Sequence, residues 1–115
     1  AAAQHYLDVG MKVLIADINE DALAAAQQKL TIGQGELLTQ LCDVTSLVQV
    51  NDLKQTAFNA FGKVDCLMNN AGAAVTRALP WEDVEGWKKQ IDINLWGIVH
   101  GCNAFMPAML ESKRK

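Results

Sequence analysis

Hydrophobic positions along this chain switch between a strand period and a helix period several times. Met11 to Ala16 is continuously apolar after Lys12 and lies between Gly10 and Asp17, as expected of a strand buried on both faces. Glu36 to Cys42 is a second such run, and Val64 to Asn69 a third. Ala1 to Val9 carries helix formers up to Gly10, which suits a left-handed C-terminal cap. Asn19 can cap a helix that ends near Gly33, with Glu20 and Asp21 in its first turn and Ile18 and Leu23 spaced for a hydrophobic staple. Ser46-Leu-Val-Gln49 has the pattern of a capping box and opens a helix running to about Phe61, closed by Gly62. A loop with Thr76, Arg77 and Pro80 leads to a long helical segment from about Trp81 to Ser112. This alternation predicts an α/β chain with a parallel, doubly wound sheet of which three strands are visible.

The last helix bears more apolar surface than one sheet face needs. Ile91, Leu95, Ile98, Cys102, Phe105 and Met109 form one stripe, and Trp96, Val99, Met106 and Leu110 form another beside it. Gly97, Gly101, Ala104 and Ala108 add a strip of small residues where a second backbone can approach closely. The region around residues 90–110 is therefore expected to join copies of the chain in a homo-oligomer.

Composition narrows the class without choosing a function. In 115 residues, half are hydrophobic and a fifth charged, which is ordinary for one globular domain that buries roughly two thirds of its unfolded surface. The net charge of -3, with no basic cluster beyond Lys113-Arg114-Lys115, gives no electrostatic support to a nucleic-acid or anionic-membrane partner. Cys42, Cys66 and Cys102 are odd in number and sit in apolar runs, which points to buried thiols in a reducing, cytoplasmic setting. His5 and His100 have no Cys or carboxylate at ligand spacing, so no metal site is expected. No apolar run approaches a membrane span.

The chemistry concentrates where the third run breaks. Val64 to Met68 is followed by Asn69-Asn70-Ala71-Gly72, residues that suit a turn and close backbone approach, at the carboxyl end of a strand where open α/β sheets bind ligands. With this motif the chain resembles the short-chain dehydrogenase/reductase family, whose fourth strand ends in Asn-Asn-Ala-Gly. The resemblance runs from Ala1 to about Lys115 and implies a Rossmann-type sheet in the order 3-2-1-4-5. It implies that Asp17, with Ile18 after it, accepts hydrogen bonds from the adenosine ribose and repels a 2′-phosphate, favouring NAD over NADP. It implies that Asp43 and the backbone of Val44 meet the adenine edge, and that Asn70, Ala71 and Gly72 lie against the ribose and phosphates. Asn69 is expected to tie the central strands together. Asp92-Ile93-Asn94-Leu95-Trp96-Gly97 is similar to the family's helix motif, so Asn94 is the match for the catalytic asparagine of a proton relay.

Two parts of the family pattern are not found in these residues. The Gly-rich pyrophosphate turn would precede Ala1, and the Tyr-x-x-x-Lys pair with its serine would follow Lys115. Tyr6 is the only tyrosine and has Gly10, not Lys, four residues on. With a first residue other than methionine, the chain is expected to be the middle of an NAD-dependent enzyme acting on an alcohol or carbonyl, itself inactive and weakly competent for NAD. The alternative is a non-catalytic nucleotide-sensing or protein-interaction module of the same fold. A receiver domain is disfavoured because Asn69-Asn70 stands where its chemistry needs charged groups.

Overall fold

A computed structural model describes residues 2–113. Its elements are α1 (Ala2–Asp8), β1 (Lys12–Asp17), α2 (Glu20–Lys29), β2 (Glu36–Leu41), α3 (Leu47–Phe61), α4 (Val84–Ile91), a π-helical turn (Asp92–Trp96) and α5 (Gly97–Lys113). The two strands run parallel and in register, Lys12 opposite Glu36 and Asp17 opposite Leu41. A parallel pair needs a crossover, and α2 supplies it by packing on both strands, with Leu23 turned inward and Gln27 donating to the Thr39 hydroxyl at 2.9 Å.

The helix ends follow local chemistry. Asn19 Oδ1 accepts from the Ala22 N–H at 3.0 Å, Ser46 Oγ from the Gln49 N–H at 3.3 Å, and Gly62 closes α3 at φ 80°. The expected staple over α2 is not formed, since Leu23 is buried while Ile18 stays 70% exposed. The long C-terminal helix starts at Val84 rather than Trp81, because the Asp83 carboxylate takes the capping position and accepts from the Gly86 N–H at 2.9 Å.

The core lies between β1, α3 and α5. Cys42, Val50, Ala57, Ala104 and Phe105 are buried there, with Leu14, Leu53, Phe58, Val64, Leu67 and Met109 packed around them. Residues 64–69 are not a strand, contrary to the sequence expectation. They run through this region without a ladder, because among the described residues no strand lies beside them, and β1 pairs with β2 alone. The space between β1 and residues 64–69 is thus not closed by direct pairing. Cys66 is exposed as a result, whereas Cys42 is buried and Cys102 half-buried. β1 and β2 are mostly half-buried rather than covered on both faces, for the same lack of neighbours. The accessible surface, 7824 Å², exceeds the roughly 6,200 Å² expected of a compact chain of this mass, so much apolar surface stays outside.

Along the last helix the small residues face inward. A Cβ on Gly97 would lie 2.8 Å from Val44 Cγ2, and one on Gly101 would overlap the Asn69 amide. The groups that approach this strip at Gly97 and Gly101 are therefore side chains of the same chain. Ile91, Leu95, Trp96, Ile98, Val99, Met106 and Leu110 remain exposed.

Candidate active site

The carboxyl ends of β1 and β2 bring the two acidic candidates together. The Cys42 N–H donates to the Asp17 carbonyl at 3.0 Å, extending the pairing one step past the strands and setting Asp17-Ile18 beside Asp43-Val44. One Asp17 carboxylate oxygen, Oδ1, accepts from the Asn19 N–H at 2.9 Å, which orients the group as the chain enters α2. Asp17 and Ile18 are both exposed. Asp43 Oδ1 accepts from the Thr45 N–H at 2.9 Å and the Thr45 hydroxyl at 2.7 Å, while the Asp43 N–H donates to Gln49 Oε1 at 2.8 Å. Asp43 thus folds its own loop, as a turn-forming Asp does.

Val44 is held from α5. Its carbonyl accepts from His100 Nδ1 at 2.7 Å, so that nitrogen carries a proton, and its side chain occupies the space that glycine at 97 leaves open. In the sequence His100 has no Cys or carboxylate at ligand spacing. Nothing in its local spacing announced a partner 56 residues away.

Asn94 lies inside the π-helical turn, where the Gly97 N–H reaches back to the Asp92 carbonyl. Such turns insert one extra residue and cluster at functional sites. The Asn94 amide leaves the helix face and brackets one residue of the loop after Gly72. Oδ1 accepts from the Ala73 N–H and Nδ2 donates to the Ala73 carbonyl, each at 2.8 Å. A Cβ on Gly72 would lie 3.3 Å from Asn94 Oδ1, so a small residue there lets the two segments close. Asn70, Ala71 and Gly72 are exposed and take part in no ladder. Asn69 faces the helix instead, its Nδ2 donating weakly to Cys102 Sγ at 3.8 Å.

The sites so assembled share one wall. Asp17, Ile18, Asp43 and Val44 lie at the strand ends, α5 ties Val44 to the helix, and the π-helical turn ties Ala73 to the same helix one turn earlier. The single tyrosine stands apart: the Tyr6 hydroxyl faces Cys66 Sγ at 3.9 Å, and this hydrogen bond, with Coulomb repulsion from Cys66, raises its pKa. A tyrosine used as an acid/base near neutrality needs the opposite shift. Burial, reinforced by Asp43 and Asp52, pushes the Cys42 thiol up, so it is no nucleophile.

The short chain dehydrogenase family profile matches residues 1–115. A CLA biosynthesis dehydrogenase/reductase of Lactiplantibacillus plantarum is 35% identical over 112 residues, 96% of this chain and 39% of that protein. An uncharacterized oxidoreductase of Staphylococcus saprophyticus is 35% identical over 104 residues, 90% of this chain and 42% of that one. The crystal structure of a short chain dehydrogenase/reductase from Burkholderia phymatum in complex with NAD superposes with a TM-score of 0.88 at 35% identity, covering 96% of this chain and 39% of the other. The chain spans about two fifths of the length of these relatives, and across that span, with a parallel α/β core and a site wall on one helix, it belongs to the short-chain dehydrogenase family.

Proposed function

We propose that these residues form the adenosine-binding and relay part of an NAD-dependent oxidoreductase, which transfers a hydride between an alcohol or carbonyl substrate and nicotinamide. The observation that carries this reading is the placement of Asp17 and Asp43 side by side at the carboxyl ends of adjacent parallel strands. The residues fit a nicotinamide dinucleotide. Asp17 Oδ2 has no hydrogen-bond partner among the described residues and can accept from ribose hydroxyls, while its charge disfavours a 2′-phosphate. The Asp43-Val44 loop offers an adenine edge held rigid by Thr45 and His100. Ala71 and Gly72 leave room for the backbone to approach the ribose and phosphates.

When bound, the dinucleotide supplies the hydride chemistry. The chain's own part is to select NAD through Asp17, to hold the adenosine end through Asp43 and Val44, and to position the loop beyond Gly72 through Asn94. The relay role of Asn94 needs an acid/base partner, and these 115 residues contain no Tyr-x-x-x-Lys. By themselves they are therefore proposed to bind the cofactor weakly and not to turn over. The NAD complex of the Burkholderia relative supports the cofactor class. The exposed apolar stripe from Leu95 to Leu110 supports assembly as a homo-oligomer.

Calorimetric titration with NAD and NADP tests the reading. NAD should bind more tightly, and Asp17→Ala should narrow the difference by on the order of tenfold, the size of a charge-assisted hydrogen bond. Equal binding of both cofactors by the unmutated chain removes the assignment.

A further inference from the structure

The inward face of α4 is polar, and it faces a loop rather than a sheet. Asp83, Gly86, Trp87 and Gln90 are half-buried, while their neighbours Val84, Glu85, Lys88 and Lys89 are exposed. With Asn94 they follow the spacing of one helical stripe, and each meets the segment from Ala73 to Leu79. Gln90 Oε1 accepts from the Val75 N–H at 3.0 Å and more distantly from the Thr76 N–H at 3.5 Å. Trp87 Nε1 donates to the Ala78 carbonyl at 2.9 Å. Asp83 lies beside the Thr76 side chain, and a Cβ on Gly86 would be 2.9 Å from Thr76 Cβ and would overlap the Asp83 carboxylate. Glu82 Oε2 accepts from the Leu79 N–H at 2.8 Å.

Several backbone groups of a loop with no regular structure are thus satisfied by side chains of α4 and of the turns that flank it. The same helical line continues through Asn94 to Gly97 and His100, which hold Val44. Ten residues separate Gln90 from His100, about 15 Å of helix at 1.5 Å per residue, so the two anchor points lie well apart along this run of helix.

We propose that Gln90, flanked by Trp87 and Asp83, is a positioning residue. It holds the Ala73–Leu79 loop over the end of the crevice remote from Asp17 and Asp43, and so orders the nicotinamide half of the dinucleotide rather than the adenosine half. This rests on the dinucleotide reading above. Gln90 is central because one oxygen serves two successive amides, and losing it frees the middle of the loop while Asn94 still clamps its start.

The test uses Gln90→Leu, which removes the acceptor, and Gln90→Glu, which keeps one. Amide hydrogen exchange reads the loop, and calorimetric titration with NAD and with ADP reads the two halves of the site. In Gln90→Leu the Val75 amide should exchange about tenfold faster, as expected for loss of one hydrogen bond, while the amides of β1 keep their protection. NAD affinity should fall about three- to tenfold with ADP affinity unchanged, and Gln90→Glu should restore both readings. Unchanged exchange at Val75 overturns the strap. Parallel loss of NAD and ADP affinity shows a general loosening and overturns the positioning role. If the unmutated chain binds neither ligand, the dinucleotide reading fails and the positioning role falls with it, while the exchange result still reports separately whether Gln90 holds the loop.

Discussion

Gly33 and Gly35 stand two residues apart in the connection from α2 to β2, yet their surroundings predict opposite responses to the same substitution. Neither has a positive φ, so the comparison is purely one of space. A Cβ on Gly33 meets nothing within 4 Å. One on Gly35 would overlap the Met11 carbonyl oxygen and lie 3.0 Å from Leu7 Cδ2 and 3.3 Å from Leu7 Cα. Leu7 is fully buried and the other obstacles are backbone, so no side-chain rotation relieves the contact. Either α1 or the start of β2 must move by about 1 Å to restore an ordinary separation near 3.5 Å. Overpacking of this kind costs typically 1 to 3 kcal/mol, and a backbone obstacle places Gly35→Ala near 3 kcal/mol. For a chain of this size that corresponds to a fall in Tm of roughly 10–15 °C. Gly33→Ala should instead gain about 0.4 to 1 kcal/mol by restricting the unfolded chain. Thermal and urea unfolding of both variants provide the assay. The site should respond too, because this connection sets the register that aligns Asp17 with Leu41, and the Asp43 loop moves with β2. A Gly35→Ala protein melting within about 2 °C of the parent, or two variants shifting alike, would refute the steric argument.

Three further outcomes follow from the same coordinates. In a polypeptide that joins these residues to a tyrosine acid/base, Asn94→Leu should lower kcat with NAD affinity nearly intact, since its amide contacts Ala73 and not the adenosine end; an unchanged kcat would make it a packing residue. The Asp83 carboxyl is held below the ordinary Asp value, first by the Gly86 N–H and then by Thr76. A depressed folded-state pKa means that its capping contribution is present above the ordinary value of about 3.9 and is lost as pH falls through the lower folded value; the Gly86 amide shift should titrate with a midpoint under 3.9, and a midpoint at or above it contradicts the cap. Trp96→Glu or Met106→Glu, on the exposed stripe of α5, should dissociate the assembly or precipitate it, and a monomer by light scattering before mutation excludes that interface.

Local chemistry wrote much of this protein into its sequence. The Asn19 and Ser46 caps and the Gly62 stop need only neighbours a few residues away, and these, like the apolar runs of β1 and β2, were legible from residue type and spacing. The Asn69-Asn70-Ala71-Gly72 and Asp92-to-Gly97 segments stood out through their resemblance to family motifs, and the structure brings Asn94 of the second against Ala73, directly after the first.

Only the tertiary structure decided the rest. An apolar run becomes a strand when another strand satisfies its backbone, so Val64 to Asn69, with no partner strand among the described residues, joins no ladder. Helical spacing placed Gly97 and Gly101 on one strip but could not say what would fill it; the side chains of Val44 and Asn69 of the same chain do. The polar stripe of Asp83, Trp87, Gln90 and Asn94 was equally present in the sequence, yet its partners are backbone groups of an irregular loop, which carry no side-chain signature. The same holds for His100 and the Val44 carbonyl: every residue has a carbonyl, and only the folded chain determines which one lies 2.7 Å from the ring.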